Sequence, residues 1–227
     1  MSLLDVVPIA LLGGIAGLDT VSFPQAMISR PLVSATLGGV LVGAPMHGLL
    51  LGAVLELIAL ETLPVGASRY PEWGSTSVVA GALYGQTTTG VDGAILVVVL
   101  GALLFAWFGG WTMVVLRQHN AVVARRHRAA LDAGSRGAVL DVQLAGLVAD
   151  FVRAAFVSAA AYLVLAPAEG LVLRHWTLSE HWSRALLVAI AASVALGSAW
   201  KLFHSTTGAR WFFLGGLGVG LLILGLR

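Results

Sequence analysis

Long apolar runs interrupted by proline, glycine and short polar stretches dominate the sequence. The first run, residues 6–18, is shorter than the roughly 20 residues that a transmembrane helix needs. It therefore predicts either a half-helix or a full span completed by residues 20–23. In the PQAMISRP segment that follows, Pro24 and Pro31 each bias the preceding residue away from helix. A backbone break on both sides of Gln25 is predicted.

The next apolar stretch, residues 32–60, is interrupted by several glycines and by the GAP sequence at residues 43–45. This pattern predicts two short helices rather than one smooth span. Glycines also allow membrane helices to pack closely, and for any single glycine that is the simpler explanation. The breaks occur together with Glu56 and a flanking Arg30, and broken helices with polar residues at the break are typical of transport sites.

A second short apolar piece, residues 78–84, lies between two polar stretches. The first of these, residues 61–77, is rich in proline, glycine and hydroxyl groups and is predicted to be a connection. The second is residues 85–93. Non-helical backbone at membrane depth needs protein or a polar cavity around it, so this arrangement predicts another re-entrant segment. The charge-free residues 93–116 then predict a complete transmembrane helix.

The basic segment at residues 117–137 is expected to be a cytoplasmic loop that fixes the orientation of the chain. A basic helix that contacts anionic lipid or a soluble partner is the alternative there. Three further spans are predicted at residues 148–165, 185–200 and 211–226, which would place the C-terminus on the extracellular side. The intervening residues 167–183 are expected to form a loop with an aromatic belt.

Asp150 and Arg153 stand three positions apart at the start of the first of these spans. Side chains at i and i+3 lie on one face of a helix, so the two charges are expected to neutralise each other. A pair used for docking or gating at the cytoplasmic rim is the functional alternative.

The amino-acid composition also indicates a membrane protein. The 227 residues are 58% hydrophobic and 11% charged, with a mean hydropathy of +0.92, which predicts an all-α, polytopic membrane protein with re-entrant or broken helical hairpins. A formal charge of +2 gives no support for nucleic acid binding, and the absence of cysteine excludes disulfide and thiol chemistry.

The N-terminus lacks a basic region and carries Asp5, so it is expected to be structural rather than a cleaved signal. One domain is predicted, with a re-entrant substrate region at 1–91, the basic loop at 117–137 and C-terminal spans at 138–227.

No catalytic or metal-binding motif emerges. The six histidines form no HExxH pattern, and no GxxxxGK[ST] phosphate loop is present. The GSTS sequence at residues 74–77 lacks the strand and turn context of a nucleophile elbow. His47 is expected to be a loop residue. We therefore predict no cofactor, no metal and no catalytic residue in this chain.

Glu56 is the most informative single residue. A carboxylate inside an apolar membrane segment costs roughly 2.5 to 3.5 kcal/mol on insertion scales, so such residues are usually retained for function. A structural alternative is an ion pair with Arg30 or Arg69 that locks two helices together.

The ungapped stretch from Arg30 to Ala67 resembles the membrane C component of the mannose/fructose/sorbose family of the bacterial sugar phosphotransferase system. The resemblance is carried by the RP pair, the glycine-punctuated segment and the GxxLExIxL motif at residues 52–60. A weaker similarity extends through the basic segment to FFLGGLGVGLLI near the C-terminus. The chain is shorter than typical members, mainly in its second half.

The resemblance implies a multi-pass subunit of the bacterial plasma membrane that translocates sugar. It also implies a D-component membrane partner, a trimer of C–D pairs, and soluble A and B phosphocarriers, the last of which phosphorylates the sugar from a phosphohistidine. Sugar hydroxyls would donate charge-assisted hydrogen bonds to a carboxylate, the role expected for Glu56. Arg30 or a polar backbone break would balance its charge, and only Glu56 and Arg30 carry over with the family motif. Neutral donors or acceptors are expected among Gln25, Thr36, Ser68 and Ser34, and Asp19 and Gln25 are candidates by proximity alone.

Two functions from other classes remain open. One is a stand-alone ion-coupled carrier or channel in which Glu56 binds a cation or a proton. The other is a membrane-embedded enzyme, which would need a convergent nucleophile and base that the sequence does not reveal.

Overall fold

The computed structural model describes residues 3–60, 62, 69–87, 93–204 and 207–225, and these ranges contain helices and no strands. The predicted all-α class is therefore confirmed. In chain order the helices are α1 (Leu3–Asp19), α2 (Pro31–Leu41), α3 (Pro45–Ala59), α4 (Trp73–Gln86), α5 (Ala94–Arg126), α6 (Arg128–Asp132), α7 (Arg136–Arg174), α8 (Glu180–His204) and α9 (Ala209–Gly225).

Within the described ranges, α5 and α7 are long and apolar enough to cross a membrane. With 33 and 39 residues they extend about 50 and 58 Å at 1.5 Å per residue, beyond the roughly 30 Å of a bilayer's hydrocarbon core. The helices α1 to α4 have only 11 to 17 residues each. The first third of the chain is thus built from short helical segments, as the broken apolar runs predict.

The predicted hairpin at residues 32–60 is confirmed. The helices α2 and α3 pack against each other and are joined by a turn in which Gly43 has a φ of +75°. Such a conformation strains side chains with a Cβ, which explains a glycine at this position. Pro45 then begins α3 at a position where its missing N–H costs nothing.

Helix α4 lies at the centre of the bundle and contacts α1, α2, α3, α5 and α7. Every residue from Trp73 to Leu83 is buried. Two glycines make the contact with α2 possible: a Cβ added at Gly38 would lie 2.1 Å from the carbonyl oxygen of Val78, and one added at Gly81 would lie 2.0 Å from that of Ala35. The backbones of α2 and α4 are therefore in direct contact.

Helix α4 begins earlier than predicted, because the GSTS sequence belongs to the helix and not to a polar connection. Glu72 immediately precedes the helix and its carboxylate accepts the backbone N–H of Ser75 at 3.1 Å and the Ser75 hydroxyl. This N-cap satisfies an amide that the first turn leaves unpaired, so polar residues can open a buried helix. His47 lies in α3 and not in the expected loop. Of the two alternatives for the first apolar run, the structure agrees with the shorter helix, because α1 ends at Asp19 and does not include residues 20–23.

The basic segment is mostly helical instead of forming an irregular loop. It comprises the last turns of α5, the short α6 and the start of α7, because its Ala, Val, Leu and Arg residues favour helix. The loop expected at residues 167–183 is shorter in the structure, because α7 continues through Pro167 to Arg174 and α8 begins at Glu180. A proline removes a single helical hydrogen bond, which a long, packed membrane helix tolerates.

Candidate functional site

The segment joining α1 to α2 is shaped by the Asp19 carboxylate. Asp19 is almost fully buried and accepts the backbone N–H groups of Ala26 at 2.6 Å and Ser29 at 2.8 Å. Between Asp19 and Ser29 the chain turns sharply, with positive φ values of 59° at Gln25 and 64° at Met27. The break predicted around Gln25 is confirmed, and Asp19 is the residue that stabilises it.

The segment between α1 and α2 also contacts a second carboxylate, that of Asp150 on α7. The Ser22 hydroxyl donates to Asp150 of α7, which is paired at 2.9 Å with Arg153. Arg153 also donates to the hydroxyl of Thr112 on α5 at 3.1 Å. The predicted pairing of Asp150 with Arg153 is therefore confirmed, although the pair lies well inside α7 rather than in its first turn. It connects the α1–α2 segment to both long helices.

Arg30 and Glu56 form a salt bridge across the open end of the α2–α3 hairpin. The Glu56 carboxylate also accepts the backbone N–H of Leu32 at 3.2 Å, one of the amides that the first turn of α2 leaves unpaired. A negative charge at this helix end interacts favourably with the helix dipole. Of the two arginines considered for Glu56, Arg30 is its partner, whereas the guanidinium of Arg69 lies 5.4 Å from the centre of the Trp107 ring.

Arg30 also faces a cavity of about 430 Å³, here called the first cavity. Its volume falls within the roughly 300–1,000 Å³ typical of small-molecule sites. The α1–α2 segment, the start of α2, the end of α3 and the start of α4 form its walls. Its polar and aromatic lining residues are Asp19, Thr20, Gln25, Ser29, Arg30, Thr62, Tyr70 and Trp73.

Two aromatic side chains contribute to the lining of the first cavity. The Trp73 indole N–H donates to the Thr62 hydroxyl at 2.9 Å, and the Tyr70 hydroxyl accepts from Arg117 at 3.0 Å. The Arg117 guanidinium lies 5.2 Å from the centre of the Tyr70 ring, within the range of a cation–π contact. The rings are thereby held in place by neighbouring polar groups.

The structure brings together some of the predicted site residues and separates others. Arg30 and Gln25 line the first cavity, and Glu56 is joined to it through Arg30. Thr36 does not line it, and its hydroxyl donates to the carbonyl of Leu32 at 2.6 Å. Ser34 is buried and donates to the carbonyl of Arg30 at 3.0 Å. The fifth predicted residue is Ser68, which lies outside the described residues.

Sequence reasoning missed several residues of this region, three of which are aromatic or fully buried. Tyr70 and Trp73 were not singled out, although they flank Pro71 and Glu72 in the RYPEW sequence. Glu72 was not recognised either, and it is fully buried, with its backbone N–H donating to the carbonyl of Ala106 on α5 at 2.8 Å. The available signal was an acidic residue three positions before Ser75, the spacing of an N-cap.

Comparison with known proteins agrees with this architecture. The structure is similar to a solved structure described as "Structure of membrane protein", with a TM-score of 0.75, 21% sequence identity, and coverage of 100% of this chain and 92% of that chain. It is also similar to a chain in the cryo-EM structure of the mannose transporter ManYZ with microcin E492 (MceA), with a TM-score of 0.63, 21% identity and the same coverages. At these identities the likeness concerns the fold. Comparison with curated protein sequences gives no match.

A family profile described as "PTS system sorbose-specific iic component" matches residues 3–222, nearly the entire chain. This match is independent of the solved structures, and it confirms the resemblance carried by the RP pair and the GxxLExIxL motif. The chain belongs to the family of sorbose-specific IIC components of the phosphotransferase system, and it is a membrane subunit for sugar transport.

Proposed function

We propose that the chain binds a hexose or an amino sugar in the first cavity and presents it for phosphorylation by a separate B component. The single observation that carries this proposal is the lining of that cavity. A guanidinium, a side-chain amide, hydroxyl groups and two aromatic rings converge where α1, α2, α3 and α4 all begin or end. Ligand sites in membrane transporters are commonly formed at such helix breaks.

The chemistry of the lining suits a sugar. A hexose has hydroxyl groups that donate and accept hydrogen bonds around its ring, and less polar C–H faces that pack against aromatic side chains. Arg30 and Gln25 would provide donors, and Tyr70 and Trp73 would provide apolar surface. A few polar groups within a partly apolar wall are the usual composition of a small-molecule site.

We propose that Glu56 acts together with Arg30 as the charged edge of this site. Arg30 lines the first cavity, and Glu56 contacts Arg30 from beside the lining and is itself 19% exposed. An incoming hydroxyl would donate to the carboxylate in a charge-assisted hydrogen bond, roughly twice as strong as a neutral one. Gln25 lines the same cavity and is proposed as a further ligand of the sugar, and Thr36 and Ser68 also remain predictions.

The ion-coupled carrier is a weaker account of Glu56. A carboxylate that binds a cation acts through its negative charge, and here that charge is balanced by the Arg30 guanidinium. A neutral ligand fits the pair better.

The proposal includes the assembly in which the chain works. We propose a D-component membrane partner, a trimer of C–D pairs in the bacterial plasma membrane, and soluble A and B phosphocarriers. The phosphoryl group would pass from a phosphohistidine of the B component to a sugar hydroxyl. This chain would contribute the passage and the selectivity.

Uptake of labelled sugars tests the proposal. Cells expressing this chain with or without its D, A and B partners are given labelled mannose, fructose, sorbose and glucosamine, and the product is analysed for phosphorylation. We expect a sugar phosphate to accumulate only when all partners are present. Accumulation of free sugar by this chain alone would overturn the phosphotransferase mechanism and favour a stand-alone carrier.

A further inference from the structure

A second cavity, of about 560 Å³, lies at the other end of α4. The first cavity includes Trp73, the first residue of α4, whereas the second includes Tyr84, in its last turn, and the adjacent Thr87. Eleven helical residues separate Trp73 from Tyr84, or about 16 Å at 1.5 Å per residue. The two cavities therefore occupy opposite ends of the same buried helix.

The walls of the second cavity come from α3, α4, the start of α5 and the start of α8. His47 and Tyr84 face each other edge to face, with ring centres 5.4 Å apart and an angle of 68° between their planes. This arrangement is one of the favoured geometries for aromatic pairs. A residue for which the sequence offers no role thus lies against a tyrosine in the wall of a cavity.

Polar groups in the second cavity have contacts of their own, although the Glu180–Arg184 pair is largely exposed, with side-chain exposures of 54% and 72%. The Thr87 hydroxyl donates to the carboxylate of Glu169 on α7, and Glu180 forms a salt bridge with Arg184 on α8. The charges of Glu180 and Arg184 cancel, so the lining favours an uncharged ligand over an isolated cation or anion. Leu50 and Val54 of α3 add apolar surface.

From this placement we propose that the second cavity is an additional binding site for an uncharged hexose, formed by His47, Tyr84 and Thr87. It combines aromatic rings, a hydroxyl and balanced charges, the same classes of group that line the first cavity. Both cavities also share the α3 and α4 helices. This inference rests on the proposed function and extends it: the chain holds sugar at two positions along α4.

Protection of introduced thiols tests the second site. Because the chain contains no cysteine, one introduced thiol is the only one in this subunit. Leu50→Cys and Thr87→Cys each place a thiol in the second cavity, and Ser29→Cys places one in the first. Each variant is reconstituted in nanodiscs with its D partner, and the rate of maleimide labelling of this subunit is measured with and without D-mannose, D-fructose or L-sorbose.

We expect one of these sugars to slow labelling of Leu50→Cys or Thr87→Cys by about tenfold at ten times Kd, since the unoccupied fraction is 1/(1 + [L]/Kd). The protection should persist when Arg30→Ala is added to weaken the first site. Ser179→Cys is the matched control, because Ser179 is exposed in the short connection before α8 and does not line the cavity. Sucrose at equal concentration controls for osmotic effects.

Three results would overturn the inference: no protection of either thiol, equal protection of Ser179→Cys, or protection that disappears with Arg30→Ala. Protection of Ser29→Cys alone would leave the proposed function intact and remove the second site. No protection in either cavity, together with no sugar uptake, would overturn both proposals. The outcomes therefore separate failure of the second site from failure of the proposed function.

Discussion

Arg30 and Glu56 form an ion pair that is neither fully buried nor fully exposed, with exposures of 33% and 19%. Exposed ion pairs contribute little to stability because water and salt screen them, and a pair at the edge of a cavity shares part of that weakness. The pair instead holds two charged groups in a fixed position relative to each other. A ligand hydroxyl can then contact charge without an uncompensated ion being left in the apolar part of the protein.

Replacing Glu56 with glutamine tests this pair. Glu56→Gln keeps the shape but removes the charge, leaving Arg30 without its counter-ion and the ligand without a charged acceptor. A hydrogen bond to a charged group contributes about 1.5–3 kcal/mol, so sugar binding should weaken by about tenfold to a hundredfold. Equilibrium binding of labelled sugar to the reconstituted complex measures the effect, and membrane insertion should be unchanged.

Asp132→Asn is the matched control for this substitution. Asp132 is also paired with an arginine, Arg128, at 3.5 Å, but both side chains are largely exposed and distant in sequence from the site. The same chemical change there should leave sugar binding unaltered. Normal binding and uptake by Glu56→Gln would remove Glu56 from the site.

The sequence revealed the charged residues of the site more readily than its aromatic ones. Arg30 and Glu56 were identifiable because charge is expensive in an apolar segment and therefore conspicuous. Tyr70 and Trp73 were not, because aromatic residues are common in membrane proteins and their positions become meaningful only once the chain folds. The role of Asp19 as an acceptor for two backbone amides also required the structure.

At the scale of elements, the first third of the chain is organised by direct backbone contact between short helices. The α2–α3 hairpin was predictable because its turn contains glycine and proline at positions that require them. The start of α4 was not, because Ser75 and its neighbours are typical of connections. The local cap from Glu72 was readable in principle, but the burial of Glu72 and its backbone hydrogen bond to the carbonyl of Ala106 on α5 are tertiary features.

Substitution at Gly81 tests the contact between α2 and α4. In Gly81→Ala the new methyl group would lie 2.0 Å from the carbonyl oxygen of Ala35, so the two helices must separate. Overpacking of this kind costs about 1–3 kcal/mol, and a loss of 2 kcal/mol would lower Tm by about 4–8 °C in a chain of this size. Thermal unfolding of the purified complex measures the shift.

Gly170→Ala provides the comparison. Gly170 lies inside α7, and among the described residues no atom beyond the adjoining backbone of α7 and the chain neighbours of Gly170 lies within 4 Å of the position that its Cβ would take. Because alanine favours helix over glycine by up to about 1 kcal/mol, this variant should be neutral or slightly stabilised. Equal Tm values for Gly81→Ala and Gly170→Ala would contradict the close contact of α2 with α4.

At the scale of the whole molecule, one cluster of basic residues lies at one end of the long helices. Arg125 and Arg126 are in the last turn of α5, and Arg128 begins α6. Arginine and lysine in short connections are retained on the cytoplasmic side, so this cluster should set the orientation of the bundle. The helical form of the segment leaves that expectation unchanged, because the rule depends on charge and not on conformation.

Neutralising the cluster tests the orientation. Converting Arg125, Arg126 and Arg128 to glutamine should change the side of the membrane reported by a C-terminal tag in a substantial fraction of molecules. Converting the same three residues to lysine keeps the charge and should leave the reporter unchanged. If the glutamine variant retains the original orientation, other features of the chain determine its topology.

The α2–α3 hairpin is closed at both ends, by the turn at Gly43 and by the Glu56 carboxylate, which contacts Arg30 and the Leu32 amide. A ligand that competes for Arg30 or Glu56 therefore weakens one of the two closures. By thermodynamic linkage, whatever loosens the hairpin must in turn change the affinity for that ligand by the same factor. If the sugar binds at this ion pair, as we propose, its affinity and the rigidity of the hairpin must change together.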